Sequence, residues 1–298
     1  MLLFIGSAVA DVVIRVPALP RTGEDLHVQS QQVTLGGCAC NAFRAARLMG
    51  AQAQLLSPAG EGVWGDFVRR ALAAEGVTPI ETSGANGCCY CLVEPSGERT
   101  FLCDRGAEYR FRREWFDALK EDASGVYVCG LEIEEATGGV IIDELERRSP
   151  ARLYFAPGPR IDVIPAPRMN RLLALHPVLH LNAAEAMGFT GAADVPAAAA
   201  AIRARTENDV IVTLGAEGAW VQDARGGQLI SGFPAQVTDA IGAGDAHIGA
   251  VMACEAAGLS LAEAVRRANA LSAAVVSHAG ASLPPSLWEA WQAAHPLC

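Results

Sequence analysis

Lysine is almost absent from this chain. Among 298 residues there are 23 Lys plus Arg, and only Lys120, in Ala-Leu-Lys-Glu-Asp, is a lysine. A Walker P-loop needs a glycine-rich turn ending in Lys, and a protein kinase needs a strand Lys against its phosphates. No glycine cluster precedes Lys120, so both architectures are excluded. Schiff-base chemistry loses its only amine for the same reason. Aromatic residues are sparse at 6%, and no apolar run reaches the ~18–20 residues that a membrane span requires. There is no Lys/Arg tract, and the net charge is −10. That balance argues against nucleic acid and against a membrane as partner.

What is present is apolar. Hydrophobic residues make up 51% of the chain, enough to bury a core without disulfides or a structural metal. The length fits one large α/β unit or two domains. The nine cysteines, Cys38, Cys40, Cys88, Cys89, Cys91, Cys103, Cys129, Cys254 and Cys298, are odd in number and scattered. They do not read as a disulfide framework. Cys38-Ala-Cys40 and Cys88-Cys89-Tyr-Cys91 lack zinc-finger spacing, so reduced thiols and no metal cluster are expected. The opening Met-Leu-Leu-Phe-Ile-Gly-Ser-Ala-Val-Ala has no basic stretch, and Asp11 follows at once. It reads as a buried first strand rather than a leader, which places the chain in the cytoplasm.

Apolar runs recur between turn residues: Leu2 to Ile5, Gln54 to Leu56, Val126 to Cys129, Leu153 to Phe155, Val178 to Leu181 and Val210 to Leu214. Helical patterns separate them, such as Asn41 to Met49 and Asp66 to Glu75, each closed by Gly. Ser260-Leu-Ala-Glu263 opens a final long helix with Leu261, Val265, Ala268, Leu271 and Val275 on one face. Ala197 to Ala201 reads as a plain surface helix. This alternation predicts βαβ units around a mostly parallel sheet. Two stretches, about 12–35 and 87–104, break it with short period-2 segments. These are Leu26 to Val33, Cys89 to Val93 and Thr100 to Cys103, the last two joined by a turn at Pro95-Ser-Gly97. They predict a small separate sheet inserted into one 298-residue domain.

The segment from Val237 to Ala250 carries the most chemistry. An apolar strand-like end runs into Gly242-Ala-Gly244-Asp245, and a helix follows. Glycines at a helix N-terminus present backbone N–H groups to an anion. A carboxylate there repels phosphate unless it takes a proton from an attacking hydroxyl while the N–H groups hold phosphoryl oxygens. The competing reading is a helix N-cap Asp. The dinucleotide fingerprint does not fit, because His247 stands where its last glycine belongs.

Asp239-Ala-Ile-Gly-Ala-Gly-Asp245 resembles the D-T-x-G-A-G-D signature of the PfkB (ribokinase-like) carbohydrate kinases. Four further segments resemble that family's motifs in order: Gly36-Gly-Cys-Ala-Cys-Asn41, Gly60-Glu-Gly-Val-Trp-Gly65-Asp66, Asn182-Ala-Ala-Glu185 and Thr213-Leu-Gly-Ala-Glu-Gly218. The resemblance spans essentially the whole chain. It implies a three-layer αβα core with a β-sheet lid, and ATP-dependent phosphorylation of a hydroxyl on a sugar or sugar-like substrate. By that resemblance Asp245 is the general base, with the N–H groups around Gly242, Ala243 and Gly244 as the anion hole. Asp11, Gly36, Gly37, Asn41, Arg105 and Glu132 contact the sugar. Thr213, Gly215, Gly218, Asn269 and Arg160 bind ATP, and Asn182 with Glu185 hold Mg²⁺ largely through waters. Asn182 ending a strand and Glu185 capping the next helix is the plainer alternative. A K⁺ site at Asp239 and the 275–282 loop is a further implication. A homodimer through the lid is expected because an isolated small sheet leaves one apolar face to cover.

Departures from the pattern are local. Ala240 replaces the signature Thr, His247 replaces a common Phe, and Gly62 stands where Asp is frequent. Ala156 and Gly158 replace the Asp and Asn of a D-P-N-x-R pattern, while Cys38 and Cys40 alter the sugar loop. A nucleoside kinase of the same family is the alternative, with Tyr90 and Phe101 as the shelf for a base. A ligand-binding sensor without turnover is a second alternative, and an NAD-linked oxidoreductase a third.

Overall fold

The computed structural model describes residues 1–119 and 123–295. Lys120 and Cys298 lie outside the described residues. The strands are β1 (Leu2–Ile5), β2 (Val9–Arg15), β3 (Ser30–Gly36), β4 (Ala53–Leu56), β5 (Pro58–Glu61), β6 (Ile80–Ala85) and β7 (Cys88–Val93). They continue as β8 (Arg99–Asp104), β9 (Gly125–Cys129), β10 (Leu153–Ala156), β11 (Val178–Asn182), β12 (Val210–Thr213), β13 (Gly218–Asp223) and β14 (Gly226–Ser231). The helices are α1 (Cys38–Leu48), α2 (Gly62–Ala74), α3 (Gly130–Glu134), α4 (Gly138–Arg148) and α5 (Ala166–Leu173). After these come α6 (Ala183–Thr190), α7 (Val195–Thr206), α8 (Ala243–Ala256), α9 (Leu261–Val276) and α10 (Pro285–Ala294).

The chain folds into two compact units. One comprises Met1–Gly6, Cys38–Leu56 and Arg110–Cys298; the other comprises Ser7–Gly37 and Ser57–Tyr109. The first holds an eight-stranded sheet in the order β14-β13-β12-β11-β10-β9-β1-β4. It is parallel from β4 to β12 and antiparallel over β13 and β14. Its central strands are buried throughout, all four residues of β1 and all five of β9, because helices cover both faces of a parallel sheet. On one side α1, α8 and α9 pack on one another. The approach of α8 to α1 depends on Gly249, where a Cβ would lie 2.1 Å from the Ala42 carbonyl oxygen.

The second unit holds a four-stranded sheet, β3-β2-β7-β8, and the parallel pair β5-β6. Among the described residues no helix is long and apolar enough to cross a membrane.

The αβα class and the small separate sheet match the sequence reading. Asp11 does not end the first strand but sits inside β2, opposite Thr34 and Cys89. β3 starts at Ser30 rather than Leu26, and α2 starts at Gly62 rather than Asp66. The alanines of α7 are not a plain surface: Ala198, Ala199 and Ile202 are buried. α9 is not the final helix, since α10 follows it. No strand leads into Gly242, and Val237 there is 68% exposed.

Candidate active site

In a parallel sheet the strand ends on the carboxyl edge share one side, where loops can gather functional groups. β11 and β12 place Asn182 directly opposite Thr213 at that edge. Beside it lies a cavity of about 610 Å³ within the first unit, lined by Thr213, Gly215, Gly218, Gly244, His247 and Asn269 among others. Four expected nucleotide residues, Thr213, Gly215, Gly218 and Asn269, thus meet Ala243 and Gly244 of the signature segment. Gly218 is required by shape: its φ is +106° and a Cβ would lie 2.1 Å from the Ile230 carbonyl oxygen.

Two buried histidines reach this cavity as a chain. His180 Nε2 lies 3.0 Å from His247 Nδ1, and His247 Nε2 lies 3.0 Å from Asn269 Oδ1. The Asn269 amide donates to the carbonyls of Ile230 and Ser231, using both its hydrogens. Its Oδ1 can therefore only accept, so His247 carries its proton on Nε2 and accepts at Nδ1 from His180. Both rings are neutral in this scheme. Burial agrees: it lowers His180 well below the ordinary value, helped by His247, and brings His247 down to about 4 against the opposing Asn269 hydrogen bond. His247 is both packed and cavity-facing.

Asp245 is not an N-cap. The cap of α8 is Gly242, in the left-handed region with φ +72° and no side chain to offer. Asp245 is the third residue of the helix, and its Oδ2 accepts from Asn41 Nδ2 at 3.0 Å. The first N–H groups of α8 have no intrahelical acceptors, so its positive end faces outward next to this carboxylate. Asn41 is 5% exposed, and its Oδ1 has no partner among the described residues. Burial pushes the Asp245 carboxyl up to about 6; hydrogen bonds from Asn41 and Cys38 oppose this, and the Glu132 charge adds to it. For Cys38, the hydrogen bond with Cys129 pulls down, yet burial and the charges of Asp245 and Glu132 leave the thiol at about 11. Cys129 donates to Glu132 Oε2 at 2.6 Å.

The remaining expected residues divide. Glu132 lies in the first turn of α3 and is 1% exposed. Arg160 forms an ion pair with Glu134, with Nε at 2.7 Å, and it does not line the cavity. That pairing competes with the expected phosphate contact. Asn182 and Glu185 form a reciprocal capping box at 3.0 and 2.8 Å, the plainer of the two expectations. Asp239 accepts from the backbone of Ile241 and of Gly280, tying the signature to the 275–282 loop.

In the second unit Asp11 lies against Gly36, where a Cβ would be 1.8 Å from its Oδ2, and Gly37 has φ +98°. Arg105 stacks over Tyr109 at 5.7 Å. Sequence reasoning missed His180 and Cys129. A lone His among the apolar residues of Val178-Leu-His-Leu was the available signal for the first; nothing marked the second.

The sequence profile of the pfkB family carbohydrate kinases matches residues 1–288. The uncharacterised sugar kinase YegV of Escherichia coli is 36% identical over 289 residues, covering 95% of this chain and 90% of that protein. Among solved structures, a ribokinase from Thermotoga maritima superposes with a TM-score of 0.83 at 20% identity, covering 98% of this chain and 99% of that one. A Burkholderia thailandensis nucleoside kinase solved with inosine gives 0.81 at 20% identity, with 99% of each chain covered. These two likenesses establish the ribokinase-like fold. With the profile and the YegV relative, they lead to the conclusion that the chain belongs to the pfkB family of carbohydrate kinases, phosphotransferases that use an alcohol group as acceptor.

Proposed function

We propose that this kinase transfers the γ-phosphoryl group of ATP to a hydroxyl of a sugar or sugar acid, with Asp245 as general base. The observation that carries this is the pair at the start of α8: a buried carboxylate with no ion-pair partner among the described residues, held by Asn41, whose own Oδ1 is left without a partner. A substrate hydroxyl satisfies that acceptor and stands next to the carboxylate that takes its proton. The N–H groups of Gly242, Ala243 and Gly244 stabilise charge on the transferring phosphoryl oxygens. The cavity lined by Thr213, Gly215, Gly218 and Asn269 receives the nucleotide.

Asn41 and Glu132 are the proposed sugar contacts of the first unit, and Asp11, Gly36, Gly37 and Arg105 those of the second. Among the described residues no cluster of three acidic, His or Cys side chains could hold a metal alone. Asn182 and Glu185 fit the sparser mode of Mg²⁺, which keeps its waters and takes one carboxylate plus substrate phosphates. Bound there, the ion would neutralise phosphate charge. Asp239 with the 275–282 loop is the proposed K⁺ site, since each of its carboxylate oxygens accepts one backbone N–H and keeps a lone pair. A second copy of the chain is the proposed partner of the β7–β8 face that presents Tyr90 and Leu102, 36% and 57% exposed.

A sugar is favoured over a nucleoside by strand parity. Asp11, Cys89 and Cys103 are register partners, as are Val13, Cys91 and Phe101, while Tyr90 pairs with Leu102. Side chains alternate along a strand, so Tyr90 points away from the Asp11 face and only Phe101 remains for a base. The test is coupled ADP release with MgATP across pentoses, hexoses, sugar acids and nucleosides. A sugar or sugar acid turned over by the wild type and not by Asp245→Asn is expected. Turnover of nucleosides alone would replace the substrate class, and ATP binding without turnover of any acceptor would favour the sensor.

A further inference from the structure

The four-stranded sheet brings two cysteines together that the phosphoryl-transfer reading does not use. Cys89 of β7 and Cys103 of β8 are direct register partners, and their sulfurs are 3.2 Å apart. The hairpin shows which kind of pair this is. Glu94 N–H donates to the Glu98 carbonyl at its closed end, so the pairs alternate from there and Cys89/Cys103 falls on a non-hydrogen-bonded position. Such positions bring Cα atoms to about 4.5 Å, within the ~4.4–6.8 Å range that a disulfide spans. Cys103 is exposed and Cys89 half-buried, so a small reagent can reach the pair. Cys88 points to the other face, and Cys91 is 1% exposed.

We propose that Cys89 and Cys103 are a reversible thiol–disulfide modification site, oxidised by a low-molecular-weight disulfide. The Cys103 thiolate attacks one sulfur of the reagent; that S–S bond breaks, a small thiolate leaves, and a mixed disulfide forms on Cys103. Cys89 then loses its proton to solvent and attacks Cys103 Sγ, expelling the second small thiolate and closing the protein disulfide. Two protein thiols are oxidised and one disulfide is reduced to two thiols. The order follows from the pair itself: the hydrogen bond with Cys103, then burial and the charges of Cys103 and Asp11, keep the proton on Cys89. Exposed Cys103 is therefore the attacking sulfur and Cys89 the resolving one.

The same row of the sheet runs Thr34, Asp11, Cys89, Cys103. Closing the S–S bond draws the sulfurs together by about 1 Å and takes the Cys89 thiol away from its place beside the Asp11 carboxylate. The consequence for activity rests on the proposed sugar contact of Asp11: oxidation then raises KM for the sugar several-fold and spares kcat.

The experiment treats the full chain with oxidised glutathione, alkylates remaining thiols, and digests with trypsin without reductant. Cleavage after Arg99, between the two cysteines, leaves two peptides that stay joined only through a disulfide. The expected result is a Cys89–Cys103 linked species, two hydrogens lighter than its parts and released by dithiothreitol. It is lost in Cys103→Ser, whereas Cys89→Ser accumulates glutathione on Cys103. Glutathione persisting on wild-type Cys103 without a link, linkage through Cys88 or Cys91, or full alkylation of both residues would each overturn the proposal. The mass readout is independent of turnover. A link that forms without moving KM upholds the site and removes Asp11 from the sugar contacts.

Discussion

Helix α8 carries one carboxylate near each end, and the molecule treats the two in opposite ways. Glu255, at the amino edge of the sheet, accepts from Arg152 Nη2 at 2.8 Å and from the Tyr154 hydroxyl at 2.8 Å, and Arg152 also holds Asp209 at 2.8 Å. Asp245, about 15 Å away at the other end, has an amide and a thiol for neighbours and no cation among the described residues. Burial raises both carboxyls, but at Glu255 an arginine and a phenol counter it, whereas at Asp245 the Glu132 charge adds to it. One end is arranged for stability. The other keeps a basic, underpartnered carboxylate beside a helix N-terminus, an arrangement suited to chemistry.

The largest test of that contrast is Asp245→Asn. Removal of the proposed general base should cost about 10²–10⁴-fold in kcat, while the amide keeps a partner in Asn41 and ATP binding should persist. The same change stabilises the fold. A carboxyl raised from 3.8 to about 6 favours the folded state when protonated; this advantage is full below pH 3.8 and is lost as pH rises through about 6. At pH 7 the ionised, buried carboxylate therefore costs of order 3 kcal/mol. Calorimetry should show Tm rising by a few degrees as coupled-assay turnover disappears; a lower Tm would place Asp245 with Glu255 as a structural group.

Next in size is the pH profile of the wild type. Only ionised Asp245 accepts a proton, so kcat/KM should fall tenfold per unit below about pH 6 and be level between 7 and 8. A profile breaking near 4 would mean that substrate or metal binding, not the buried base, sets the pH dependence.

How far the sequence announced this contrast can be judged residue by residue. The parallel sheet was legible because strands such as Leu2–Ile5 and Val178–Asn182 are short apolar runs between turn signals, the pattern of strands covered on both faces. The signature around Asp245 was legible because glycines and an acid at a helix start are a local motif. Arg160 and Glu134 are 26 residues apart, and a sequence does not show which acid will claim an arginine. Asp11 was misplaced because Gly6 and Ser7 were read through as one strand, although β1 ends at Ile5 and β2 begins at Val9 in another sheet. The His180–His247–Asn269 chain joins three segments that only packing brings together.

That chain supplies the third test, His247→Phe, which restores the commoner residue. It leaves the His180 N–H and Asn269 Oδ1 without their partners, at about 1–3 kcal/mol each before any relaxation. With Asn269 no longer held on its Oδ1 side, KM for ATP should rise while kcat stays close to wild type. The linkage is also readable. A histidine held neutral by burial contributes stability present above pH 6.5 and lost as pH falls toward about 4, at about 1.4 kcal/mol per pH unit. Two such rings act in the wild type and one in the variant, so denaturant titrations between pH 6.5 and 5 should show a shallower loss in His247→Phe. An unchanged slope would mean that His247 is charged in the native protein.

The smallest expected effect sharpens the comparison most. Glu255→Gln keeps the shape of the side chain and removes its charge from Arg152, which retains Asp209. A fully buried pair broken this way costs about 3–5 kcal/mol, but the Arg152 side chain is 28% exposed, and solvent reduces the loss to about 1–2 kcal/mol. Tm should drop by a few degrees with kcat unchanged, the mirror image of Asp245→Asn. Because the two sites lie at opposite ends of α8 and share no partner, their effects on stability should add within about 0.5 kcal/mol in the double variant. A larger deviation would show that α8 couples the two edges of the sheet, and the stabilising end would then be part of how the proposed catalytic end is held.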